Sequence, residues 1–79
     1  MEVIEVGARV RAKHTITEDG SDPDPNAELM GPGYVHAEEG EEGVVVYIEM
    51  QGDDVVLTVR FDRTGTACVV GDIEVKVIE

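Results

Sequence analysis

Cys68 is the only cysteine in the chain, three residues (Tyr34, Tyr47 and Phe61) are aromatic, and six Lys or Arg stand against 18 Asp or Glu. Each scarcity excludes something. A single thiol supports neither an intramolecular disulfide framework nor a zinc site of several thiolates, and it makes a reducing cytoplasm the expected compartment. So few aromatics leave the interior to Val, Ile and Leu, a composition that favours strands over helices. A net charge of −12 repels polyphosphate and removes the attraction on which nucleic-acid binding rests. Long apolar runs are missing as well. The longest, Val44 to Ile48, is five residues, whereas a membrane span needs about 20. The N-terminal Met1-Glu-Val-Ile-Glu5 lacks the basic segment and long apolar core of a secretory signal. The 79 residues are read as one domain, 1–79, with a small core and no room for a large catalytic cleft.

The organising stretch is Gly43 to Asp62, two apolar runs separated by Gln51-Gly-Asp-Asp54. It reads as a β-hairpin. Period-2 alternation places Val44, Val46, Ile48 and Met50 on one face of the first strand and Val55, Leu57, Val59 and Phe61 on one face of the second. These eight are the expected core. Before the hairpin, Ala8, Val10 and Ala12 alternate with Arg9, Arg11 and Lys13, which predicts a strand with one apolar and one cationic face. Val3, Ile4 and Val6 form its lead-in. After the hairpin come a turn at Arg63-Thr-Gly-Thr66, a short strand at Ala67-Cys-Val-Val70, a bend at Gly71-Asp72 and a last strand over Ile73–Ile78.

Between Thr17 and Glu42 the alternation disappears. This segment holds nine of the 18 acidic residues, all three prolines and no Lys or Arg, and it reads as a long acidic loop, residues 17–42. Asp19–Asn26 and Met30-Gly-Pro-Gly33 are turn chemistry, Ala27–Met30 suits one helical turn, and Leu29, Met30, Tyr34 and Val35 are expected to anchor the loop over one end of the core. Five strands result, and a sheet this small is expected to bury its edges by curling into a barrel.

The order of one strand, long loop, hairpin, short strand, tight turn at Val70–Ile73 and last strand resembles the SH3-like barrel. The expected fold is therefore all-β, a small five-stranded SH3-like barrel with a long acidic first loop. Among such barrels, Gly7-Ala-Arg-Val-Arg11, Asp19-Gly20, Gly43 with Val-Val-Val-Tyr47, Val59-Arg-Phe61 and Val70-Gly71 resemble the nitrogenase-maturation family NifZ. The same regions are similar to the variable subunit of ferredoxin-thioredoxin reductase. These resemblances imply an accessory role beside a metallo- or redox enzyme, in nitrogen fixation for the first, and neither supplies a catalytic residue. The first loop is far more acidic here than in either family.

Several side chains remain as candidates. Glu38, Glu39, Glu41 and Glu42 repel one another and favour an exposed position, which suits an electrostatic docking patch for a basic partner. Tyr34, read as an exposed aromatic, is the candidate anchor beside them. Arg9, Arg11 and Lys13 are expected to pair with the acidic loop above them. Asp22-x-Asp24-x-Asn26 starts like a calcium loop, but Ala27 stands where glycine is needed and Gly33 where the bidentate glutamate is needed. His14, His36 and Cys68 make a three-ligand metal set only if the fold brings them together. Cys68 itself reads as a small core residue rather than a nucleophile. The expected function is a non-catalytic accessory protein, cytoplasmic, without cofactor, docking on a larger protein. The alternative is a small metal-binding or metal-carrying protein using His14, His36 and Cys68 or the Asp19–Glu28 loop. An unpaired edge at Ala67–Val70 leaves a monomer or a weak dimer open.

Overall fold

The structure is a computed structural model that describes residues 4–78. The expected hairpin is its backbone. β4 (Glu42–Gln51) and β5 (Asp54–Phe61) pair antiparallel over their whole length, joined by a two-residue turn at Gly52-Asp53. β1 (Arg9–Ala12) pairs with the first residues of β4, β6 (Ala67–Gly71) with β5, and β7 (Val75–Val77) with β1. One five-stranded antiparallel sheet results, in the order β6-β5-β4-β1-β7. Its outermost strands, β6 and β7, are consecutive in sequence and are linked by the single 3-10 turn Asp72–Glu74. The all-β expectation and the places of the five strands hold. The Val3 end of the lead-in lies outside the described residues, Ile4 packs against the core, and Val6 is exposed.

The first loop is more ordered than its composition suggests. β2 (Ile16–Thr17) and β3 (Val35–Ala37) pair antiparallel as a second, two-stranded sheet, and Glu18–Gly20 forms a 3-10 turn. Strands this short carry too few residues to display alternation. Leu29 and Met30, expected as anchors, are instead exposed, while Tyr34 and Val35 are half-buried. Ala27–Met30 forms turns rather than a helical turn. Gly33 closes the loop's base with a positive φ of 83°, where a Cβ would meet the Asp22 carbonyl and the Asp24 side chain at 2.8 Å. The Asp24 N–H donates to the Gly33 carbonyl at 3.0 Å, so the two limbs of the loop touch there.

The core expectation is right for β5, and on β4 it holds for Ile48 but not for Val46 or Met50. Leu57, Val59 and Phe61 are buried and Val55 packs against them. On β4, Val45 is fully buried, whereas Val46 is 38% and Met50 63% exposed. For Val46 the cause is a bulge; Met50 shares the parity of Ile48 but stands beside the exposed turn at Gly52-Asp53. The register with β5 shifts between Val45 and Tyr47, leaving Val46 without an opposite residue. A bulge reverses which parity of side chain faces inward, so Gly43 and Val45 face the core before it and Ile48 after it. The bonds to the β1 segment end there too, with Val45 accepting from Gly7 and donating to Ala8. β4 thus passes from two neighbours to one at the point where it kinks. Ile73, expected to alternate inward in the last strand, sits in the 3-10 turn and is 78% exposed.

The bulge makes neighbouring valines unequal. Val45→Ala should cost about 2 kcal/mol, from lost burial and the space left behind, while Val46→Ala should stay within about 0.5 kcal/mol. Urea denaturation of the two variants checks this, and equal losses would contradict the register.

Candidate functional site

A buried polar link ties the first loop to the sheet. His36, on β3, is fully buried, with Nδ1 2.7 Å from Thr66 Oγ1 and Nε2 3.0 Å from a carboxylate oxygen of Glu18. Thr64 Oγ1 donates to the His36 carbonyl at 3.1 Å and lies 2.7 Å from Thr66 Oγ1. Both ring nitrogens of His36 are thus engaged, one by a threonine hydroxyl and the other by a carboxylate. Tyr34 packs edge-on against its ring, centroids 5.0 Å apart.

Tyr34, expected to be exposed, is half-buried with its ring edge-on to His36. The glutamates nearby are also less free than their sequence suggests. Arg63 pairs with Glu38 at 3.4 Å and with Glu41 at 3.2 Å. Glu42 is met by Arg9 at 3.1 Å and by Arg11 at 3.6 Å, while Arg9 reaches Asp62 at 2.6 Å. Of the four, Glu39 alone has no ion pair among the described residues. The Arg9 guanidinium donates to both oxygens of Asp62 and so holds that carboxyl below its usual range. The cationic face of β1 is thus spent on Glu42 and Asp62 rather than on the tip of the loop, and exposed pairs of this kind set orientation more than stability.

Unpaired negative charge lies elsewhere. Asp19, Asp22, Asp24 and Glu28 are exposed and make no ion pair among the described residues. Asp24 caps a local turn, accepting from the Asn26 N–H at 2.9 Å. No group of three or more His, Cys, Asp or Glu gathers into a metal-holding arrangement among the described residues, in this loop or around the two histidines. His14, His36 and Cys68, a metal set only if brought together, are each engaged elsewhere. Both His36 nitrogens are engaged, and His14 is exposed with Nε2 3.3 Å from Glu74. Cys68 is buried, and desolvation, followed by the nearby charge of Glu18, pushes its thiol up to about 11. A protonated thiol is a poor ligand and a poor nucleophile.

A groove of about 820 Å³ separates β6 from the segment His14–Pro23. Glu18, Asp19, Asp22 and Glu74 line it, with Met30 at its rim. No part of this was foreseen. Glu18, Thr64 and Thr66 carry no pattern in sequence that would single them out; Glu18 meets His36 through the pairing of β2 with β3, and the threonines meet it where the β5–β6 turn approaches β3. No helix among the described residues is long and apolar enough to cross a membrane. No family model, curated protein or solved structure matches the chain.

His36→Ala should cost about 2 kcal/mol, because it empties a fully buried position and leaves the half-buried Glu18 and Thr66 without their partner. Thermal unfolding and faster amide exchange at Val35 and Ala37 would register it. At pH 8 the folded protein should react with a thiol reagent about a hundredfold more slowly than the urea-unfolded chain, because burial pushes the Cys68 thiol up to about 11. Equal rates would show that Cys68 is neither buried nor shifted.

Proposed function

We propose that this chain is a non-catalytic accessory protein of the cytoplasm that docks on a larger, basic partner through the acidic first loop of an SH3-like barrel. The observation that carries this reading is the row of exposed, unpaired carboxylates at Asp19, Asp22, Asp24 and Glu28, next to the exposed side chains of Leu29 and Met30. Charge without a partner inside the molecule extends its field into solvent and steers a complementary surface toward it. Adjacent apolar side chains then supply area to bury on contact. Glu38, Glu39, Glu41 and Glu42 belong to the same surface, their field reduced by Arg9, Arg11 and Arg63. The resemblance to NifZ and to the reductase subunit adds the kind of partner, a metallo- or redox enzyme.

The test is association with the partner recovered by low-salt affinity capture. Asp22→Asn, Asp24→Asn and Glu28→Gln together should lower the association rate about tenfold at low salt and flatten its salt dependence. Neutralising Glu38, Glu39, Glu41 and Glu42 should also slow association, because it removes four negative charges and leaves Arg9, Arg11 and Arg63 facing a basic partner. Rates that respond to neither set would remove the acidic loop from docking. A partner lacking any metal or redox centre would remove the accessory role beside such enzymes.

A further inference from the structure

β6 is an edge strand whose outward backbone groups can be identified from both of its ends. At one end the Phe61 N–H donates to the Thr66 carbonyl at 3.1 Å, so residue 66 faces β5. At the other, the Gly71 N–H turns away from β5 and donates to the Glu74 carboxylate at 2.7 Å. Backbone groups of successive residues alternate sides along an antiparallel strand. Both ends agree: Ala67, Val69 and Gly71 face away from β5. Gly71 is occupied by Glu74, and the N–H and C=O groups of Ala67 and Val69 have no backbone partner among the described residues.

Edge strands are ordinarily defended by charged side chains, proline or a bulge. Ala67-Cys-Val-Val70 has no charged residue and no proline, and its pairing with β5 is regular. The Val69 side chain is 65% exposed. What surrounds the edge is acidic. The groove beside it carries Glu18, Asp19, Asp22 and Glu74 and is lined by no Lys or Arg among the described residues. Glu18 and Glu74 are held in place by His36 and by the Gly71 N–H, whereas Asp19 and Asp22 are unpaired. The same charges are felt inside, where Glu18, Glu74 and Asp19 each raise the Cys68 thiol. A second copy of this chain would bring another net charge of −12 and the same acidic groove against this one, so charge selects a basic occupant over self-association.

We infer that the free edge of β6 takes an extended, Lys- or Arg-bearing segment of a partner protein as an added strand, bonded to Ala67 and Val69 with its cations facing Asp19, Asp22, Glu18 and Glu74. This rests on the docking role proposed above and names where on the molecule it happens. Main-chain bonds to the edge supply affinity, and the alternating side chains of the added strand supply the choice of sequence.

The experiment titrates the full ¹⁵N-labelled chain at low salt with two end-capped nonapeptides of alternating Lys and Val. One has an ordinary backbone; the other is N-methylated at alternate residues, which keeps the charge and removes the edge bonds. The ordinary peptide should give saturable amide shifts concentrated in residues 67–71 and 15–22 and slow amide exchange at Ala67 and Val69. The methylated peptide should bind about tenfold more weakly or less well still. Asp19→Asn with Asp22→Asn should weaken the ordinary peptide about threefold to tenfold and flatten its salt dependence; Asn suits the positive φ of 53° at position 19. Equal affinity for the two peptides overturns strand addition and leaves electrostatic docking standing. No saturable response to either also overturns it, and the docking role is then judged separately by the association rates of the neutralised loop.

Discussion

The hydrogen bonds of His36 are the constraint on which the arrangement of the first loop depends. Loop residues 18–34 carry almost no buried apolar surface: among them only Gly33 is buried. Hydrophobic burial therefore cannot hold this segment against the sheet. What holds it is β3, whose His36 faces Glu18 on one side and Thr66 on the other, with Thr64 closing the circuit to the His36 carbonyl. A buried polar group is expensive unless each donor and acceptor is met, and here each is: no buried side-chain nitrogen or oxygen among the described residues lacks a partner. The link draws one residue each from the 3-10 turn and β3 and two from the β5–β6 turn. It joins three separate pieces of the chain at one point.

The bulge in β4 has a comparable effect on the sheet. A ten-residue strand that stayed regular would keep one parity inward along its length. The extra residue at Val46 allows β4 to serve β1 with one half and the hairpin with the other, each presenting a different parity to the core. Gly43 lies where the two strands press closest, with no space for a Cβ against the Arg60 carbonyl at 2.7 Å. Val46 and Tyr47 are left on the outer face as a consequence.

Charge follows from the same geometry. Arg9 and Arg11 leave β1 on its solvent face, where Glu42 and Asp62 stand across the strand pairing, and Arg63 in the next turn reaches Glu38 and Glu41. Three of the six basic residues are thereby paired with carboxylates, while Asp19, Asp22, Asp24 and Glu28 make no ion pair among the described residues.

Strand positions were legible because β1 and β5 alternate and β6 is a short apolar run between turns, and alternation is a local property that one buried face imposes on consecutive residues. The hairpin turn was legible in Gly52-Asp53 for the same local reason, and so was the tight turn after Gly71. By itself, then, the sequence determined an all-β chain, the places of its five main strands, its inward residues on β1 and β5, and its excess of negative charge. Only the tertiary structure decided which parity of β4 faces inward, because a bulge arises from pairing with two neighbours and leaves no mark on the strand's own composition. It also decided which carboxylates are paired, that His36 is buried with Tyr34 against its ring, and that the edge of β6 opens onto an acidic groove. These depend on residues far apart in the chain, such as Glu18 with His36 and Arg9 with Asp62, and distances between such residues exist only once the chain has folded.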